Sequence, residues 1–246
     1  IQTSLVGSEM CIRDRQGGLD KMSEHISSQF DNDILQINVK LTKMGGICED
    51  NLKKAIKAIT KNDSELAEYI IKKDQELDDL ENAIDDLVIK TIALRQPVAD
   101  DLRLLFAAIK ISTALERIGD LTKNIGKRTL LISEEQPIKL RQPIAELGKK
   151  VHSQLTKVVN SHTNQNKELA LAVWSEDIHI DKMYSEITKE LVVSLKKKKH
   201  VEVGSHLLFV AKNLERAGDY TTEISEMIYY VITGNHINKE RPKSSL

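Results

Sequence analysis

The sequence predicts an all-α fold: six long helices arranged as two tandem antiparallel three-helix bundles about a pseudo-two-fold axis. Three observations predict it. Apolar residues recur at helical 3-4 spacing in long rows. The chain repeats itself at an offset near 100 residues. Its composition, 30% charged with 4% aromatic residues, suits long amphipathic helices better than sheet. A length of 246 residues with 40% apolar content is enough for a sizeable core, in one large or two smaller domains.

Residues 1–15 show no helical periodicity and are too polar for a signal peptide. They resemble sequencing-adapter read-through, and residues 1–21 are read as a non-native or disordered leader. Met22 then begins the native protein, and Cys48 is its one thiol. From about Phe30 the row Leu41, Met44, Cys48, Leu52, Ala55, Ile59 marks one face of a first helix. Asn62-Asp63-Ser64-Glu65 is a break with N-cap chemistry. A second helix carries Leu77, Leu80, Ile84, Leu87, Val88 and Ile92, and ends at Gln96-Pro97 because the residue before proline avoids helical geometry. A third runs from about Ala99 to Leu131. Ser133-Glu134-Glu135-Gln136-Pro137, with Pro143 close behind, is the linker between halves.

The second half repeats the first. Ile144, Leu147, Val151, Leu155 and Val158 stand 103 residues after Leu41, Met44, Cys48, Leu52 and Ala55. The same offset pairs Asp74 with Asp177, Leu77 with Ile180, Asp78 with Asp181, Leu80 with Met183 and Ile84 with Ile187. It falls to 99 in the last helix of each half, which predicts a fifth-to-sixth turn about four residues shorter than its counterpart. The domains expected are 22–134 and 135–235, followed by a polar tail over 236–246.

Net charge is −1 with pI about 6.7, which leaves no global nucleic-acid footprint. No run approaches the ~20 apolar residues that span a bilayer. Two cysteines, Cys11 and Cys48, give neither a metal spacing nor a disulfide framework, which suits a reducing cytosol. No nucleophilic triad, phosphate loop or dinucleotide turn occurs. Glu176-x-x-His179 is half of a di-iron signature without a partner copy, so His179 is read as a surface or interface residue. Lys196–Lys199 with His200 is read as the solvated end of the fifth helix, and Trp174 as a packing anchor between helices.

The chemistry lies in a motif used twice. Residues 114–125 contain Leu-Glu-Arg-Ile-Gly-Asp-Leu-Thr, and residues 213–224 contain Leu-Glu-Arg-Ala-Gly-Asp-Tyr-Thr. Glu116/Asp120 and Glu215/Asp219 are therefore equivalent i, i+4 pairs, stacked on one helix face where like charges repel by about 0.2–0.5 kcal/mol. The row below Glu116 (Leu102, Phe106, Ile109, Thr113) is apolar, so the pair is expected on a core-facing stripe that demands a cation. Asp74/Asp78 and Asp177/Asp181 form a second repeated set on the neighbouring helices. Four carboxylates per half, from two helices, would make an all-oxygen site for a hard cation, iron or manganese. Ion pairing with Arg117, Arg216, Lys72 or Lys73 would account for the same acids, and the residues alone leave both readings open. Each Arg lies about 100° round the helix from its Glu and is expected to serve a neighbouring helix.

The doubled Glu-Arg-x-Gly-Asp segment, closing each half of an all-helical chain of this size, resembles the PhoU family over about residues 28–234. The resemblance implies an accessory, non-enzymatic regulator of bacterial phosphate uptake, cytoplasmic and homodimeric, acting on the ATPase subunit of a phosphate transporter and on a sensor histidine kinase. It also implies metal ions (iron, zinc, manganese or magnesium) on Glu116, Asp120, Glu215 and Asp219, with Asp74, Asp78, Asp177 and Asp181 as further ligands. Leu121 and Tyr220 depart from the polar residues common there, and Glu223 stands where the first copy has Asn124, so the two sites need not bind alike. A metalloenzyme on the same carboxylates would lack His ligands and a general base.

Overall fold

A computed structural model describes residues 6–132 and 141–238, with side chains from Ser28 onward except that of Lys199. Seven α-helices follow one another among the described residues: α1 (Val6–Lys61), α2 (Ser64–Lys73), α3 (Gln75–Arg95), α4 (Ala99–Leu130), α5 (Arg141–Thr163), α6 (Lys167–Ser194) and α7 (Val201–Thr233). No strand occurs among the described residues. None of these helices is long and apolar enough to cross a membrane. α1 begins well before the expected start near Phe30. The expected linker 133–137 and most of the tail lie outside the described residues, while Pro143 sits in the first turn of α5, where a missing N–H costs nothing.

Local chemistry sets the ends, and it does so twice. Asn62 takes a left-handed φ of 54°, and the Asp63 carboxylate then accepts from Leu66 N–H at 2.9 Å to cap α2. At the positions 103 further on, Gln165 has φ 49° and Asn166 accepts from Leu169 N–H at 2.9 Å to cap α6. Gln96, at φ 50°, stops α3 before Pro97. Gly234, at φ 73°, closes α7.

The second predicted helix is a rod with one tightened turn. Leu77 N–H bonds to the Asp74 carbonyl three residues back at 2.9 Å, which divides α2 from α3, whereas α6 runs unbroken through the equivalent Asp177. The four residues missing from the second half come from the end of a helix, not from a turn. α6 stops at Ser194, the counterpart of Thr91, and the connection over 195–200 is longer than the one over 96–98. Lys196, Lys197 and Lys198 therefore lie exposed in this connection instead of ending the helix.

α1, α2, α3 and α4 pack together as one half, and α5, α6 and α7 as the other. α4 runs against α7, and α1 against α5, so the halves join through two pairs of equivalent helices. The predicted rows are buried in both: Leu41, Met44, Cys48, Leu52, Ala55 and Ile59 on α1, and Ile144, Leu147, Val151, Leu155 and Val158 on α5. The pseudo-axis passes through the α1–α5 seam. A Cβ on Gly45 would stand 2.8 Å from Val159, and one on Gly148 would stand 2.6 Å from Ile56. Gly148 and Val159 are Gly45 and Ile56 moved on by 103 residues, so the two contacts are one contact made reciprocally. Trp174 is buried and donates its indole N–H to Glu226 at 3.0 Å, which ties α6 to α7.

Candidate metal centre

Each motif helix meets the acid-bearing helix of its own half, and the two meetings differ. In the first half, Asp74 is buried at the junction of α2 and α3, with its side chain 5% exposed. The Lys123 ammonium, reaching across from α4, donates to Asp74 Oδ2 and lies 3.8 Å from Asp120. This bond holds the lysine proton above its usual range. Glu116 and Asp120 are half-buried beside it, with Arg117 folded back along its own helix, 3.5 Å from Glu116 and 3.7 Å from Asp120. Arg117 does not cross to a neighbouring helix as its angular position suggested, because the long side chain bends along α4. Asp78 is raised above the usual carboxylate range, first by burial and then by Asp74.

The second half has no lysine at the corresponding place. Thr222, 99 residues after Lys123, donates its hydroxyl to the buried Asp177 at 3.1 Å. Asp177, Asp181 and Asp219 bring one oxygen each to within 4.8 Å of one another. Ion–oxygen distances of about 2.0–2.6 Å allow three such oxygens to converge on a single cation. The donor set is all carboxylate, the chemistry of hard divalent ions and iron, so these residues fit a metal. Glu215 stands near Asp219 and Asp181 but takes a lysine of its own: Lys212 Nζ binds its Oε2 at 2.6 Å and leans over the Tyr184 ring. Burial raises the Glu215 pKa, while Lys212 opposes the rise.

All eight predicted acids thus lie at these two junctions, four in each half. Lys72 and Lys73 pair with Glu68 and Glu76 instead of with the motif acids. Glu176 is held by Lys150 and Lys157, and His179 is exposed, as expected of a surface residue. One expectation was wrong in placement. Leu102 and Phe106 are 43% and 52% exposed, so the far end of the row below Glu116 lies at the surface, while Ile109 packs against the core. The buried face of α4 runs through Leu105, Ile111, Leu115, Ile118 and Ile125. Sequence reasoning passed over Glu81, which adds charge to both Asp78 and Glu116, and over Lys123 and Thr222. Laying the repeats over each other at the helix-specific offset sets Lys123 against Thr222 directly, and that mismatch is the signal for both.

Glu116 yields a pH prediction. Burial first, then the charge of Asp120, pushes its pKa from the usual 4.5 up to about 7, with Arg117 opposing. Below pH 4.5 the proton is held in both the folded and unfolded states, and the carboxyl costs nothing. As pH rises through about 7 the folded state must give up a proton it binds more tightly, so stability falls. Glu116→Gln is expected to be more stable than the parent at pH 8 by about 1–2 kcal/mol, after solvent screening at a half-buried site. The difference should vanish toward pH 4.5. Urea unfolding in chelator at both pH values checks this; an equal difference at the two would defeat it.

The comparisons with known proteins agree with this two-fold layout. The family described as PhoU domain matches residues 41–129 and again residues 144–228. The chain belongs to the PhoU family. It is 40% identical over 224 residues to the phosphate-specific transport system accessory protein PhoU homolog of Caulobacter vibrioides, covering 90% of this chain and 97% of that protein. Identity to the PhoU homolog of Rhizobium meliloti is 36%, over 90% of this chain and 94% of that one. The crystal structure of PhoU from Pseudomonas aeruginosa superposes with a TM-score of 0.81 at 27% identity, covering 84% of this chain and all of that one. The structure of the phosphate transport system regulatory protein PhoU from Streptococcus pneumoniae gives 0.80, also at 27% identity, over 85% of this chain and all of that one. Both PhoU domains of this chain contain their own acid junction whole.

Proposed function

We propose that this protein is an accessory regulator of phosphate uptake. It restrains the phosphate-starvation response as an adaptor between the ATPase subunit of a phosphate transporter and a sensor histidine kinase. The observation that carries the reading is coverage: relatives named as phosphate-specific transport accessory proteins match through both repeats and nearly end to end. The protein acts without catalysis, in the cytoplasm and at the membrane only through its partners, as a homodimer. Its rigid helical body transmits transporter state to the kinase.

The acid junctions belong to this role. Asp177, Asp181 and Asp219 hold a divalent cation or iron, with Glu215 flanking it, and Asp74, Asp78, Glu116 and Asp120 form the matching first-half cluster. Ion binding draws α6 and α7 together at the surface presented to a partner.

Secreted phosphatase activity in a deletion strain grown in abundant phosphate tests the regulatory role. High activity, returned to low by the full chain, is expected; activity unaffected by deletion would refute it. Complementation by Asp177→Asn/Asp219→Asn then tests the ion's part: loss of repression is expected. Full repression by a variant that elemental analysis finds metal-free would leave the ion outside signalling. A second reading, a metal-holding scaffold with no signalling role, is favoured only by the aspartate trio. It predicts bound metal together with unaltered phosphatase.

A further inference from the structure

We infer that Lys123 is a built-in counter-ion which closes the first-half carboxylate cluster to metal, so that the two halves are answered by different cations. The inference rests on the metal reading of the second half given above, and it specifies which half responds to metal and which residue decides.

The repeat supplies the comparison. Lys123 and Thr222 occupy one position of the duplicated motif, 99 residues apart. Each reaches the same target, the buried aspartate of the neighbouring helix: Lys123 donates to Asp74, and Thr222 to Asp177. The contact is shared and the charge is not. The Lys123 ammonium also stands 3.8 Å from Asp120. It therefore occupies the gap between Asp74 and Asp120, whose counterparts Asp177 and Asp219 belong to the converging trio. A divalent ion entering that gap would meet a positive charge at contact distance and would have to evict it from a buried carboxylate. Threonine is short and neutral; its one hydroxyl proton is shared between Asp177 and the Gly218 carbonyl at 3.2 Å, so it reaches Asp177 without bringing a charge to it.

A second difference runs the same way. The lysine on the Glu of the second half is Lys212, where the first half has Thr113. Lys123 neutralises aspartates in the first half, and Lys212 neutralises the glutamate in the second. The first-half aspartates thus carry the fixed charge, and the second-half aspartates take a divalent cation with all-oxygen coordination.

The test uses the full-length chain and Mn2+ as probe, with stoichiometry from elemental analysis after desalting and melting curves with and without EDTA. The parent is expected to hold one ion class, lost in Thr222→Lys, whose melting temperature then ignores EDTA. Lys123→Thr is expected to gain a further equivalent of Mn2+, to melt lower than the parent in EDTA, and to recover on adding Mn2+. Lys123→Arg, which keeps the charge, should gain none and serves as the folded control. Lys123→Thr that folds and gains no Mn2+ overturns the inference. So does an Asp177→Asn/Asp219→Asn protein that still binds Mn2+ in its first half. If the parent binds no Mn2+ at all, the metal reading of the second half fails on its own. Lys123 is then judged by Lys123→Thr alone, where a newly acquired ion supports its role and none refutes it.

Discussion

Lys123→Met is expected to destabilise the protein by about 3 kcal/mol, the lower end of the range for breaking a buried pair from one side. The reason is the company the lysine keeps. Asp74 is buried with 5% of its side chain exposed, and Lys123 bonds it directly. Without the ammonium, that carboxylate is left charged in a poor solvent or must take up a proton. The adjacent Asp120 and Asp78 worsen the first outcome and drive the carboxyl toward the second, since both add negative charge to the same junction. Asp74→Asn in the same protein removes the stranded charge and should return most of the loss, so the double variant should lie well above the sum of the singles. Denaturant unfolding in EDTA measures all four corners of the cycle. A Lys123→Met protein within 0.5 kcal/mol of the parent (roughly the scatter of ordinary surface changes) would mean that the Asp74 charge is met by another group.

Gly119→Val is the second large effect, at about 3 kcal/mol, with Gly119→Ala losing about 1–2 kcal/mol. A Cβ at Gly119 would stand 2.3 Å from Leu77 Cδ1, and Leu77 is fully buried. Alanine gains up to about 1 kcal/mol of helix propensity over glycine, so the measured loss is what remains after that gain. Valine adds two methyl groups at a position where even one requires the buried Leu77 to move. The equivalent Gly218 is roomier: its Cβ would stand 3.0 Å from Ile180. Gly218→Ala should therefore be close to neutral, and the contrast between the two glycines is the sharper test. Leu77→Ala/Gly119→Ala should recover part of the loss by making room. Equal losses at Gly119 and Gly218 would show that close helix approach is not the cause.

These two residues are coupled through α3. Leu77 lies one turn from Asp74, and the bond from Leu77 N–H to the Asp74 carbonyl fixes their relative position. Pushing Leu77 aside therefore shifts the aspartate that Lys123 holds. Small residues on the motif helix set how near the acids come, and the lysine or threonine four residues on sets which cation answers them.

Most of the fold was legible in the sequence, because burial imposes a period that survives divergence. The α1 row from Leu41 to Ile59 and its repeat from Ile144 to Val158 are buried as their spacing required. Helix ends were legible wherever a side chain does the capping, as at Asp63, or a proline forbids continuation, as at Gln96. The division at Asp74 was not legible, because it consists of one tightened hydrogen bond with no special residue type. The exposed row of Leu102 and Phe106 was misread because apolar residues at helical spacing mark a stripe without saying whether a partner covers it. For the site, the i, i+4 carboxylates named the acids in both halves. They were silent on the counter-charges, since lysines reach across helices: Lys123 crosses from α4 to the α2–α3 junction, 49 residues away in sequence.

The reciprocal contacts of Gly45 with Val159 and of Gly148 with Ile56 have one more consequence. A pair of separate half-length chains related by an axis through that seam would write every substitution on both sides at once, and neither end could be told from the other. Joined in one polypeptide, the halves keep the same helical plan but can differ residue by residue, as Lys123 and Thr222 do. The body thereby acquires a head and a tail. Two docking modes that a symmetric particle would offer with equal energy are no longer equivalent, and a binding protein that senses charge meets a molecule with a single preferred orientation.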